Sequence, residues 1–286
     1  MPELPEVETI RRAIAPPLEA RVLEELRIDD ARWCQPLAPA ELRSALEGRT
    51  LERLDRRGKY LVWRFEGEAF LLVHLRMTGT LLLDPPAGTR YERVRLRFSG
   101  PGPELAFCDP RRFGTGELAL GEDALAEFLD ARLGLEPFGP EFTGPALRAL
   151  ARGRRAPVKA FLLDQRRIAG VGNIYADEAL FRARLHPLRA AGAMTAAQAQ
   201  ALRDAIVAVL EHGLEAGGAT IDDFRHPDGV SGAFQNDFLV HLRRGEPCVR
   251  CGTEIVKLVA AGRGTYVCET CQPPPRGRRA RRASRH

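Results

Sequence analysis

Apolar residues change their spacing twice along this chain. Val7 and Ile10 stand three apart behind Pro5 and Glu6 and ahead of Arg11 and Arg12, which predicts a helix starting almost at the first residue, with acids toward its positive end. From Arg21 to about Leu120 the spacing shortens to β-type runs, such as Tyr60-Leu61-Val62-Trp63-Arg64-Phe65, Ala69-Phe70-Leu71-Leu72-Val73-His74-Leu75 and Val94-Arg95-Leu96-Arg97-Phe98, parted by Gly and Pro clusters. This half is predicted to be a β-sandwich or barrel with a helix at its start. A Gly/Pro-rich bridge from Leu135 to Pro145 reads as a linker, and beyond it the period turns helical over 145–152, 157–164, 174–183 and 195–216. Gly217 through Gln235 holds Gly, Asp and Ser without periodicity and reads as a lid loop.

The cysteines add chemistry to this outline. Cys248-x2-Cys251-x16-Cys268-x2-Cys271 has the spacing of a tetrahedral site in which each pair forms one knuckle. Four thiolates leave no open position for a reacting water, so one structural Zn2+ is expected. Thr253–Val259 and Thr265–Val267 are β-type and joined by 260–264, predicting a hairpin with Arg263 at its tip, either a solvated turn residue or a probe for phosphates. Cys34 and Cys108 fall outside the pattern and read as small buried side chains.

Charge is less informative than it first looks. The net charge is +5, yet the tail from Pro273 alone carries six arginines and no acid, so the remainder carries a net −1. Any case for nucleic acid therefore rests on where cations sit. Lysine occurs only at Lys59, Lys159 and Lys257 among 43 basic residues, which singles out each one. The chain has no run of about 18 apolar residues and no basic-then-apolar leader, so a soluble, cytoplasmic protein without membrane contact is expected.

The start Met1-Pro2-Glu3-Leu4-Pro5-Glu6 has two readings. Proline and acids suit a helix start. Equally, removal of Met1 would leave a secondary amine on Pro2 that can attack an electrophilic sugar carbon and form an iminium ion.

Several ordered motifs decide between them. They are Pro2-Glu3-Leu4-Pro5-Glu6-Val7-Glu8-Thr9, Arg57-Gly58-Lys59-Tyr60-Leu61, His74-Leu75-Arg76-Met77-Thr78-Gly79, Asp109-Pro110-Arg111-Arg112-Phe113-Gly114, Leu163-Asp164-Gln165, Ala169-Gly170-Val171-Gly172-Asn173-Ile174-Tyr175-Ala176-Asp177-Glu178, and the cysteine hairpin with Gly262-Arg263-Gly264-Thr265. From Pro2 to Gln272 the chain resembles the formamidopyrimidine-DNA glycosylase family, alongside the related endonuclease VIII family. The resemblance implies an α+β fold of two domains: an N-terminal β-sandwich with a flanking helix, then a helix-two-turn-helix domain plus a β-hairpin zinc finger, with a DNA groove between. Mapped onto this sequence, it gives a catalytic domain over 2–134, a linker over 135–150, a DNA-binding domain over 151–240 with a lesion-capping loop at 217–235, a zinc finger over 241–272 and a disordered basic tail over 273–286.

The resemblance also implies an activity: removal of oxidised purines (8-oxoguanine, formamidopyrimidines) from double-stranded DNA, followed by β,δ-elimination at the abasic site. Pro2 would be the nucleophile, Glu3 the general acid and proton shuttle, and Glu6 would orient them. Lys59 and Arg263 would also be catalytic, acting at the phosphates of the lesion, with His74, Lys159, Asn173 and Tyr175 among the DNA contacts. Met77, Arg111 and Phe113 would fill the hole left by the flipped nucleotide, although composition alone would place Met77 and Phe113 in the core. The partner would be duplex DNA containing oxidised bases or abasic sites, bound by a monomer in the bacterial cytoplasm, nucleoid-associated when on DNA.

Leu4, where the endonuclease VIII start usually has glycine, and the long 217–235 loop favour oxidised purines. The alternative is an endonuclease VIII-like enzyme for oxidised pyrimidines. One departure stands before the zinc module, where the family often reads Val-Tyr-Gly-Arg and this chain has Val240-His241-Leu242-Arg243.

Overall fold

Helix α1 (Leu4–Leu18) starts where Glu6 Oε2 accepts the Glu3 backbone N–H at 2.8 Å, satisfying one of the donors a helix start leaves open. Its Leu4, Val7, Ile10, Ile14 and Leu18, at helical spacing, are all buried. Each such burial contributes about 2 kcal/mol over leaving the side chain in water. The computed structural model describes residues 1–220, 227–229 and 231–275. The centre of the 217–235 loop and the arginines of the tail lie outside the described residues.

The chain forms two compact units, one of Met1–Arg132 with Gly213–Gln235 and one of Leu133–His212 with Asn236–His286. In the first, two antiparallel four-stranded sheets share one core. Strands β2 (Leu51–Arg57), β3 (Tyr60–Phe65), β4 (Ala69–His74) and β8 (Thr115–Leu120) make one sheet, in the order β2-β3-β4-β8. Strands β1 (Leu23–Ile28), β5 (Thr80–Leu83), β6 (Glu92–Phe98) and β7 (Leu105–Cys108) make the other, in the order β1-β6-β7-β5. Leu61, Trp63 and Phe65 alternate into the shared core with Leu71 and Val73, and the Trp63 and Phe98 rings stack at 6.4 Å between the sheets. The opposite face of β3 and β4 is also covered: Phe128 of α3 (Glu122–Asp130) meets Tyr60 edge-on at 5.5 Å. That double burial explains why β4 reads as an unbroken apolar run.

The second unit holds α4 (Gly144–Ala151), α5 (Val158–Leu163), α6 (Asn173–Arg182), most of α7 (Ala196–Glu215) and the hairpin β9 (Val256–Ala260) and β10 (Arg263–Val267). The four helices fall within a residue or two of the periodic runs in the sequence.

Helix α4, expected over 145–152, is begun by Thr143 Oγ1 accepting from Ala146 N at 3.2 Å and takes in the end of the stretch 135–150 assigned as linker. Two features depart from the sequence reading. Two helices, α2 (Pro39–Leu46) and α3, have no counterpart among the elements expected; α2 is short and buries only Leu42 and Leu46, four apart. The segment from Gly213 to Gln235 groups with the sandwich and not with the helical unit, anchored by Ala219 N to Glu6 Oε1 at 2.7 Å and Leu83 N to Pro227 O at 2.9 Å.

Candidate active site and nucleic-acid interface

Pro2 and Glu3 precede α1 and are buried, Glu3 in extended backbone. Glu6, one turn in, divides its two oxygens between Glu3 N and Ala219 N. It therefore fixes the chain's start and the root of the 217–235 segment together. Gly218 lies at φ +79°, and a Cβ there would come within 2.9 Å of Glu6 Cγ and Oε1, so only glycine lets the segment approach the carboxylate this closely.

Lys59 occupies the turn between β2 and β3, behind Gly58 at φ +57°, and is buried. Glu8 of α1 orients this turn. It pairs with Arg11 at 2.8 Å, Arg12 at 2.9 Å and Arg56 at 3.2 Å, and Arg56 Nη1 donates to Gly58 O at 3.0 Å. Burial alone would raise the Glu8 carboxyl above its ordinary range, but the three guanidiniums outweigh it and hold it below.

His74 ends β4 with its ring edge-on to Tyr60. Burial, aided by the charges of Arg76 and Lys59, pushes the imidazole down to about 3, so it is neutral near pH 7. Its Nδ1 accepts from Arg76 N at 2.9 Å, which leaves the ring proton on Nε2 as a donor.

Met77 is half-buried, while Arg111 and Phe113 are exposed, Phe113 by 50%. Phe113 is thus not a core residue, and the Arg111 guanidinium lies 4.7 Å from its ring centroid. The two loops carrying these side chains are fastened by one fully buried carboxylate. Asp109 Oδ1 accepts from Thr78 Oγ1 at 2.5 Å and Arg111 N at 3.1 Å, and Oδ2 accepts from Phe113 N and Gly114 N, each at 2.8 Å. Gly114 is needed for close approach, since a Cβ there would meet the Phe107 ring at 2.3 Å.

In the helical unit Asn173 opens α6 and donates from Nδ2 to Gly264 O at 3.1 Å. The first turn of a helix aims its backbone N–H groups along the axis, a setting that favours anions. Arg263 is exposed, but it is not the hairpin tip. It begins β10 opposite Ala260, and the tip is Ala261-Gly262, at φ +53° and +69°. Two positive φ values in a two-residue loop are what a right-twisted hairpin requires.

Two expected DNA contacts prove to be interior. Lys159 is 0% exposed and pairs with Asp177 at 2.6 Å, and Tyr175 is buried in the body of α6. Neither side chain faces solvent, because α6 turns both Tyr175 and Asp177 inward.

The Sγ atoms of Cys248, Cys251, Cys268 and Cys271 lie within 4.8 Å of one another, with Cys251 3.5 Å from Cys268 and from Cys271. A tetrahedral zinc with bonds of about 2.3 Å separates its sulfurs by roughly 3.8 Å, so the cluster fits one zinc with a closed shell. Arg250 N donates to Cys248 Sγ at 3.4 Å, and Cys268 N donates to Gln272 Oε1 at 3.2 Å, fixing the knuckles.

Residues 1–116 match the family profile "Formamidopyrimidine-DNA glycosylase N-terminal domain", residues 133–225 the "Formamidopyrimidine-DNA glycosylase H2TH domain", and residues 245–274 the "Zinc finger found in FPG and IleRS". A formamidopyrimidine-DNA glycosylase of Cereibacter sphaeroides is 43% identical over 95% of this chain and 100% of its own. The chain belongs to the formamidopyrimidine-DNA glycosylase family. Among solved family structures, the MutM (Fpg) protein of Thermus thermophilus is similar at 42% identity and a TM-score of 0.85, covering 95% of this chain and 98% of that one. A Lactococcus lactis Fpg variant in complex with Fapy-dG containing DNA is similar at 33% identity and a TM-score of 0.88, covering 96% and 100%.

Within this family frame, sequence reasoning missed Glu8, Arg56, Asp109 and Asp177 as organisers of the site. Glu8, Asp109 and Asp177 stand inside the family motifs, and Arg56 directly precedes one.

Proposed function

We propose that this chain excises oxidised purines from duplex DNA and then cuts the strand at the resulting abasic site, with the Pro2 amine as nucleophile once Met1 is removed. The observation that carries this reading is Glu6 bridging Glu3 N and Ala219 N. It unites the proposed nucleophile segment with the root of the loop proposed to cover the lesion.

The Pro2 nitrogen lone pair forms a bond to sugar C1′ as the glycosidic bond breaks; the base leaves with the electrons of the glycosidic bond and takes up the proton that the Pro2 nitrogen sheds. Glu3 then protonates O4′ as the C1′–O4′ bond opens and the nitrogen lone pair closes the C=N bond, leaving an iminium ion. The iminium draws electrons from C2′, whose proton is removed as the 3′ phosphate departs; a second elimination releases the 5′ phosphate. Lys59, neutral His74, Asn173 and Arg263 hold phosphates around the lesion, and Arg111, Phe113 and Met77 enter the stack. Lys159 and Tyr175 support this surface from within. The zinc holds the hairpin and takes no part in the chemistry.

The enzyme works as a monomer on nucleoid DNA in the bacterial cytoplasm. The bacterial sources of its relatives support the compartment. Among the described residues no helix is long and apolar enough to cross a membrane. An excision panel on 8-oxoguanine, formamidopyrimidine and thymine glycol duplexes tests the substrate. Faster release of the purine lesions is expected, and preference for thymine glycol would favour the endonuclease VIII-like alternative.

A further inference from the structure

His241 stands where the family often carries tyrosine, and its ring is enclosed, edge-on to Phe238 at 5.3 Å and tilted against Tyr266 at 5.1 Å. Glu178 of α6 fixes the backbone beneath it, accepting from Leu239 N at 3.0 Å, Val240 N at 3.0 Å and His241 N at 2.9 Å. The preceding helix residue takes the side chain, with His241 Nδ1 2.9 Å from Asp177 Oδ2.

From there one chain of donors leads to the hairpin. Asp177 Oδ1 accepts from Lys159 Nζ at 2.6 Å, and Lys159 Nζ also donates to Thr265 Oγ1 at 2.8 Å and Gly264 O at 3.3 Å. Thr265 Oγ1 donates in turn to Arg263 O at 3.0 Å, and Gly264 O accepts from Asn173 Nδ2 as well. The directions agree throughout: Nδ1–H of His241 and Nζ of Lys159 both donate to the Asp177 carboxylate, and the Thr265 hydroxyl accepts from Lys159 and donates to Arg263 O.

We propose that His241 is a positioning residue for Arg263 and Asn173, acting through Asp177 and Lys159. Asp177 and Lys159 are both out of water, so each must have its remaining hydrogen-bonding positions filled for the pair to hold one geometry. His241 supplies the short donor to Asp177 Oδ2; the other, Tyr266 N, stands off at 3.4 Å. Losing the imidazole frees the carboxylate to turn toward Tyr266, moving Lys159 and with it the backbone of 263–265. The inference rests on the phosphate-binding reading of Arg263 and Asn173 given above.

The test uses full-length, zinc-loaded protein carrying His241→Phe, which keeps a ring but removes the donor, and His241→Asn, whose amide nitrogen replaces Nδ1. Thr265→Val breaks the last link alone and serves even where His241→Phe folds poorly. The readouts are the backbone amide resonances of Gly264 and Thr265, and affinity for an abasic-site duplex across a salt series. His241→Phe is expected to shift those resonances, weaken binding on the order of tenfold and lower the salt slope by about 0.9, the share of one phosphate contact. His241→Asn should restore both, Thr265→Val should weaken binding comparably, and adding Arg263→Ala to His241→Phe should cost little more. Unshifted resonances with wild-type affinity, or losses that simply add, would overturn the relay. Wild-type affinity in Arg263→Ala alone would overturn the phosphate reading instead, and the amide resonances then decide the relay by themselves.

Discussion

Glu6 Oε1 accepts the Ala219 backbone N–H at 2.7 Å across 213 residues of chain, while its Oε2 accepts that of Glu3 at 2.8 Å. A single carboxylate thus ties the start of the protein to a segment far along it. Removing it takes an acceptor from two buried N–H groups, at a cost of about 1–3 kcal/mol each. Glu6→Ala is expected to slow release of 8-oxoguanine at least tenfold, and to slow cleavage of a preformed abasic site less, because only the former needs the loop over a base. Equal losses on the two substrates would refute the loop's role.

Asp109 makes a separable contribution. Thr78→Val removes its link to the Met77 loop and leaves its bonds to the Arg111–Gly114 backbone in place. On duplex substrates activity should fall about tenfold. On abasic sites in single-stranded DNA, where no partner base is orphaned and no stack needs a wedge, it should be unchanged. A parallel loss on both would mean that Asp109 serves stability alone.

His74 gives the protein an acid-side weakness. Its folded pKa, about 3, lies below the usual 6.5, so between these values the unfolded chain binds the extra proton and stability falls as pH drops. The loss at pH 5 from this group is about 2 kcal/mol relative to pH 7. His74→Asn, which keeps an acceptor for Arg76 N, should flatten the decline between pH 7 and 5 in denaturant titrations; an unchanged slope would show that His74 is not its source.

Zinc removal should act on the hairpin and hence on binding. Cys268→Ser is expected to lose the metal and to weaken duplex affinity about a hundredfold, since ligand geometry and the hairpin fold together. Metal-free wild type that binds at full affinity would contradict this.

What the sequence makes legible follows from range. Helices α5, α6 and α7 and strands β3 and β4 announce themselves through their own periodicity, and the four cysteines through their spacing. Residues whose role depends on distant partners do not. Lys159 reads as a DNA contact because nothing nearby in sequence reveals that Asp177, Thr265 and Gly264 converge on it. Likewise Glu8 reads as a helix-start acid, although it reaches Arg56 and, through it, the Lys59 turn. The two glycines flanking Arg263 suggest a tip there, whereas the register puts the turn at Ala261-Gly262.

The central claim, that the Pro2 amine attacks the sugar, is tested most directly by borohydride reduction during reaction with an abasic-site duplex, using protein lacking Met1. A covalent protein–DNA complex joined through Pro2, lost in Pro2→Gly while DNA binding survives, is the result expected here. Trapping that persists undiminished in Pro2→Gly, or that maps to Lys59, would contradict it.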